Sequence, residues 1–232
     1  MRCTSAGIIS GAAASSSVGM RKSFDTFRKF FNLGALKLTK QFYRRTDTTA
    51  VAEELLGCLL HVRTPEGICT GRIVETEAYC GREDRGCHAF GGRRTPRTEV
   101  MYLPGGVTYI YICYGIHQMF NIVTHVKDEP HAVLIRAVEP VSGIALMQQR
   151  RQTKELHRLA RGPGLVGQAF QLDTRMNGLS LTGNDIWLTR EPGFETGTVI
   201  KSPRVGMNFE GFYKTVPWRF RISGSQFTSP AR

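Results

Sequence analysis

The residues best placed to do chemistry lie in two strings, GRIVETEAYCG over positions 71–81 and YIYICYGIHQMFN over positions 109–121. Strand residues two apart share a face, so Glu75 and Glu77 point the same way and Tyr79 continues that face. A carboxylate held in an otherwise apolar strand orients and deprotonates water, and it stabilises a cationic sugar carbon nearby. A solvated or ion-paired face is the plainer reading of the same pair. In the second string, Tyr109 to Ile112 alternate, Tyr114-Gly115 break the pattern, and apolar residues resume through Val123, which is a hairpin signal. A hairpin leaves Tyr114 at an exposed tip, a costly place for a core residue.

Between the strings lies a loop from Gly81 to Arg97 carrying Arg82, Arg85, Arg93, Arg94 and Arg97, with Gly91-Gly92 and Pro96 as breakers. Aromatics among bases suit nucleic acids, because each base offers a stacking face worth about 1–3 kcal/mol. Tyr79, His88 and Tyr111 can line a slot for one planar ring. Tyr114 at a tip can wedge into a duplex, and the arginine row suits phosphates. Alternating Tyr is also ordinary strand composition, and an arginine loop is often merely solvated.

These residues need elements to hold them. Asp47, Thr48 or Thr49 can cap a helix with Val51, Leu55 and Leu56 inward, stopping at Gly57. Strands are predicted at Leu59–Val62 and Ile68–Val74, around the turn Thr64-Pro65-Glu66-Gly67, and again at Ala132–Val138. A helix is predicted from Ser142 to about Arg161, with Ile144, Leu146 and Met147 inward, Arg150, Arg151, Lys154, Arg158 and Arg161 outward, and Gly162-Pro163-Gly164 ending it. Late strands fall at Asp185–Leu188 and Pro217–Ile222. Strands and helices mix without regular alternation, which favours α+β over a doubly wound sheet.

The 232 residues suffice for a proper core, and no apolar run approaches the roughly 20 residues of a membrane-spanning helix. The net charge of +12 suggests a polyanionic partner. It is unevenly placed: residues 1–46 hold nine Lys/Arg against the single acid Asp25, while the rest holds 22 bases against 18 acids. Residues 1–41 therefore read as a basic tail or targeting segment, with a short amphipathic helix over Phe24–Leu38, and residues 42–232 as the folded domain. Six cysteines show no CxxC pair, and Cys80 with Cys87-His88 finds no second cluster to complete a metal site, so reduced thiols and no metal or other cofactor are expected.

Taken together, GRIVETEAYCGREDRGCHAFGGRRTPRTEVMY, YIYICYGIHQMFNI, VLIRAVEP and LARGPG closely resemble the alkyladenine (3-methyladenine) DNA glycosylase family, the monofunctional purine-releasing type. The likeness runs through residues 42–229 in one order. It implies one domain on a curved, mostly antiparallel sheet whose hairpin enters the DNA minor groove. On this resemblance Glu77 matches the base that activates water against C1′, and Arg136 matches the arginine that helps hold that water. Tyr79 and His88 match the pair that sandwiches the extruded base, Tyr111 the residue closing the pocket, and Asn121 the one crowding the amino group of normal guanine. Tyr114 matches the intercalating residue, and Arg93 and Thr95 fall where the family approaches the backbone.

The implied activity is release of 3-methyladenine, 7-methylguanine, hypoxanthine or ethenoadenine from double-stranded DNA by a monomer, opening base excision repair. No obvious active-site lysine is present, so no lyase step is expected. A nuclear address is expected, with an organelle as the other reading of the basic segment. The chain departs from the family pattern at Leu165, where a loop lysine is usual, at His117, and at Arg221. Two other readings stay open: a non-catalytic binder of damaged or bent DNA, and a nucleoside or RNA glycosidase. Gly162–Ala169 has the wrong glycine spacing for a helix-hairpin-helix loop.

Overall fold

A computed structural model describes residues 35–230. In it the predicted α+β mixture is a nine-stranded, wholly antiparallel sheet with five helices packed about it. The strands are β1 (Leu36–Lys37), β2 (Leu59–Thr64), β3 (Gly67–Cys80), β4 (Thr108–Cys113), β5 (His117–Thr124), β6 (His131–Ser142), β7 (Ile186–Arg190), β8 (Val199–Ser202) and β9 (Arg219–Ile222). They run in the order β1-β7-β2-β3-β6-β5-β4, and β9 pairs with both β3 and β8. The helices are α1 (Lys40–Tyr43), α2 (Thr48–Glu54), α3 (Ile144–Arg151), α4 (Pro163–Ala169) and α5 (Phe212–Thr215).

The central strand β3 explains the site. Its first half pairs with β2 through Arg72, and its second half pairs with β9 at Glu75, Thr76 and Glu77, while β6 runs along its other edge. Where the partner changes, the β3–β6 ladder slips twice. Val74 is the extra residue on β3, and Arg136 is the extra residue on β6. Such bulges re-aim side chains. Ile73 and Ala78 face the main core with Ile135 and Val138, and the Thr76 hydroxyl donates to the Ala52 carbonyl of α2. Arg136 reaches both Glu75 and Glu77 on the other face.

Local signals account for most of the rest. Among the three candidate caps of α2, Asp47 takes the role: its carboxylate accepts from Ala50 N at 2.9 Å and from the Thr49 hydroxyl at 2.7 Å. Those bonds hold its pKa below the usual carboxylate value. The sheet also begins before Phe42, since Leu36 and Lys37 pair with Arg190 and Thr189. The rest of the amphipathic helix expected over 24–38 lies outside the described residues.

The long helix expected from Ser142 to Arg161 is a correction. Ser142 ends β6, α3 stops at Arg151, and Gln152 turns left-handed with φ 50°. No apolar side chain follows Met147 at helical spacing until Leu156, so the next turn has nothing to bury. Nor do the first arginines face outward. Arg150 donates to the Ala169 carbonyl at 3.2 Å and the Thr64 hydroxyl at 2.9 Å, and Arg151 donates to the Leu159 carbonyl at 3.0 Å.

Candidate active site

Beside the β3–β6 bulges opens a cavity of about 430 Å³, within the roughly 300–1,000 Å³ of small-molecule sites. Tyr79, His88, Tyr111, Asn121 and Arg136 all line it, as does Tyr114 at its rim. Six residues from five separate stretches of the predicted site thus meet at one concavity.

Glu77 is fully buried and bonded to three residues. The Tyr79 hydroxyl donates to its Oε2 at 2.9 Å, Arg136 approaches the same oxygen at 3.2 Å, and Val205 N donates to Oε1 at 2.8 Å. All three partners line the cavity. The plainer reading of the carboxylates as ion-paired is therefore true here; Glu77 is not itself among the residues lining the cavity and meets it through these three partners. An ionised carboxylate has about four acceptor positions, so these three donors do not exhaust it. Burial first, and then the Glu77 charge, push the Tyr79 hydroxyl well above its ordinary pKa, which keeps it a neutral donor. For Arg136 burial works against the charge, but Glu77 and Glu75 outweigh it and the guanidinium stays ionised.

Glu75 is buried just as completely but fully engaged. Arg136 Nε donates to it at 3.0 Å, Arg219 Nε at 2.7 Å, Ser229 N at 2.5 Å and Ser229 Oγ at 2.9 Å. This carboxylate ties the end of the chain and β9 onto β3.

The aromatic wall comes from β4 and the preceding loop. His88 meets Tyr111 edge-on at 4.6 Å between ring centroids, and Tyr109 lies 5.3 Å from Tyr111. A His88 ring nitrogen, Nδ1, sits 2.7 Å from the Tyr109 hydroxyl, and Arg97 donates to Nε2 at 3.4 Å. A guanidinium only donates, so Nε2 is the acceptor and Nδ1 carries the proton. Burial, aided by Arg97 and Arg93, pulls His88 down to about 4, so the ring is neutral above that pH. Asn121 donates to the carbonyls of Tyr109 at 3.1 Å and Met119 at 3.2 Å, which fixes its amide in the β4–β5 ladder.

At the hairpin tip the chain turns at Tyr114 (φ 51°) and Gly115 (φ 73°), closed by Ile116 N donating to the Cys113 carbonyl. Positive φ at both central residues is what a type I′ turn demands, and it is why glycine follows the tyrosine. Tyr114 is 90% exposed and Ile116 74%. The predicted arginine row divides. Arg93 and Thr95 are exposed, whereas Arg94 is paired with Glu99 and Asp128 at 2.7 and 3.1 Å, and Arg97 stacks over Tyr111. Leu165 lies in α4, two residues after the cavity-lining Pro163, and does not itself line the cavity.

Sequence reasoning missed Asp84 and Arg204. They form a fully buried two-pronged ion pair at 2.6 and 2.7 Å between the loop carrying His88 and the segment carrying Val205. Asp84 was a visible oddity, an acid inside an arginine loop. Arg204 gave no signal, because its partner lies 120 positions away. Among the described residues no group of three or more His, Cys, Asp or Glu is placed to hold a metal ion, and no helix is long and apolar enough to cross a membrane.

A family model described as methylpurine-DNA glycosylase matches residues 41–226. The chain belongs to the methylpurine-DNA glycosylase family. Relatives named "Putative 3-methyladenine DNA glycosylase" agree. That of Bacillus licheniformis is 42% identical over 192 residues, covering 83% of this chain and 96% of the relative. That of Natranaerobius thermophilus is 42% identical over 199 residues, covering 84% and 99%. That of Bacillus subtilis is 39% identical over 195 residues, covering 81% and 94%. Membership makes this methylpurine-DNA glycosylase relative a DNA-acting enzyme of repair. These relatives are bacterial and have no nucleus, so they lend the expected nuclear address no support; action on DNA is what the family carries.

Proposed function

We propose that the protein is a monofunctional DNA glycosylase that extrudes an alkylated or deaminated purine from duplex DNA and hydrolyses its bond to the sugar. The extruded base enters the cavity between Tyr79 and His88, with Tyr111 closing it and Asn121 crowding the exocyclic amino group of guanine. Tyr114 fills the space left in the stack, and Arg93 and Thr95 meet the backbone. Glu77 takes a proton from the water that attacks C1′, and Arg136, paired with Glu77, holds that water. The same carboxylate stabilises the oxocarbenium-like centre as the base departs. Purines alkylated at N3 or N7 are cationic and leave readily, so modest base catalysis suffices. Damaged or mispaired bases also cost least to unstack, which favours them before the pocket is reached.

The observation that supports this reading is a buried carboxylate whose three partners all line an aromatic cavity, with an exposed tyrosine at the rim of that cavity. A water nucleophile needs no amine, and the described cavity is lined by no lysine, so the proposed product is an abasic site with an intact strand. The test is product analysis on single-lesion duplexes carrying 3-methyladenine, 7-methylguanine, hypoxanthine or ethenoadenine. Free base is expected, with strand scission only after alkali. Tight binding with no base released under single-turnover conditions would instead make the protein a binder of damaged DNA.

A further inference from the structure

We propose that Arg204 is a positioning residue for the glycosylase site, a role that rests on the function proposed above. It is not among the residues facing the cavity, yet it fastens three parts that are. Its guanidinium holds both oxygens of Asp84 at 2.6 and 2.7 Å and donates to the Ala78 carbonyl at 3.0 Å and the Tyr213 carbonyl at 3.1 Å. It stacks over the Tyr79 ring at 4.7 Å. The next residue's amide, Val205 N, is the donor to Glu77 Oε1.

Asp84 spreads that hold along its own loop. Its second interactions accept from Cys80 N and Gly86 N, each at 2.9 Å, and Gly86 stands two residues before His88. The fit has no slack: a Cβ on Gly86 would lie 2.7 Å from Met207 Sδ and 2.8 Å from an Arg204 nitrogen. Arg204 thus sets the direction of the amide that aims Glu77, the plane of Tyr79 and the place of the His88 loop. A fork of planar donors does this where a lysine's single ammonium reaches only one partner at a time. The energetics differ from those of a residue that touches substrate, because Arg204 acts only through the groups it holds.

The experiment compares the parent chain with Arg204→Lys and with the double variant Asp84→Asn/Arg204→Met, which removes both charges together. Folded protein is titrated by binding to a duplex with a tetrahydrofuran abasic analogue, which engages the hairpin but puts no ring in the slot. Single-turnover release from a hypoxanthine duplex is then expressed per folded molecule. The expected result is near-parental abasic-duplex affinity with release slowed about 10²-fold in the double variant, the cost of an ångström-scale misplacement, and an intermediate rate for Arg204→Lys. Parental release per folded molecule in either variant overturns the assignment. So does a rate that falls only as far as abasic-duplex affinity falls. A double variant too unstable to bind leaves Arg204→Lys to decide by the same comparison. If the parent chain itself releases no base from any lesion, the glycosylase reading fails first, and that outcome is distinct from a fully active variant.

Discussion

Glu75 and Glu77 stand two residues apart on β3, both buried, both touching Arg136, yet their surroundings are built for opposite ends. Glu75 receives at least four protein donors and joins β3, β6, β9 and Ser229 into one knot. Glu77 receives three, each from a residue that also lines the cavity. A saturated carboxylate holds the fold, and an unsaturated one beside a cavity can bind water. The difference arises from the bulges, which place Arg136 between them.

The sharpest way to break that comparison is to neutralise Glu75. Removing one member of a buried ion network leaves the other charges uncompensated, a loss of about 3–5 kcal/mol. Glu75→Gln is therefore expected to lower the midpoint of urea unfolding severely or to prevent folding, whereas Glu77→Gln leaves Arg136 paired with Glu75 and costs distinctly less. Equal destabilisation of the two would erase the distinction.

Tyr114 carries the comparison to the surface. Exposed at the tip, it contributes little to the core, so Tyr114→Ala should leave the melting temperature almost unchanged. Affinity for lesion duplex should fall roughly tenfold, in keeping with about 1–3 kcal/mol per stacked ring. Titration on a fluorescent duplex checks this, and parental affinity would remove the plug from the account.

A smaller, graded effect separates the two regions by pH. Burial pulls His61 and His131 down to about 4, as it does His88, with Lys37 adding to the first and His125 to the second. Unfolded histidines titrate near 6.5. The sign follows: the neutral folded forms give full stability above about pH 6.5, and stability is lost as pH falls from there toward 4. Unfolding midpoints should decline across that window, while lesion binding of the folded fraction persists at pH 5 because His88 is still neutral. Binding that disappears at pH 5 with the fold intact would contradict the neutral slot. The smallest effect belongs to residues 1–34: deleting their five basic residues and one acid should weaken DNA binding at low salt and not at high salt. An unchanged salt dependence would make them passive in binding.

The β3 string and the hairpin were legible because period-two alternation and Tyr-Gly at a turn are local signals. The helix expected beyond Arg151 does not form, and the sequence misleads there for the opposite reason. Regularly spaced arginines look like a solvated face, and only the neighbouring carbonyls of Ala169 and Leu159 show that they turn inward. The site divides likewise. Glu77, Tyr79, His88 and Tyr111 sit in strings whose residue types point to the chemistry proposed above. Glu75's saturation and the Asp84–Arg204 pair depend on contacts across 61 to 154 positions of chain, which no local pattern encodes.

Glu77→Gln tests the central claim most directly. The amide is nearly isosteric and still accepts from Val205 N, but it cannot take a proton from water. With binding to an abasic-analogue duplex retained, single-turnover release of hypoxanthine or 3-methyladenine is expected to fall by about 10²–10⁴-fold, the span of a general base. Release at the parental rate from that variant would contradict the account.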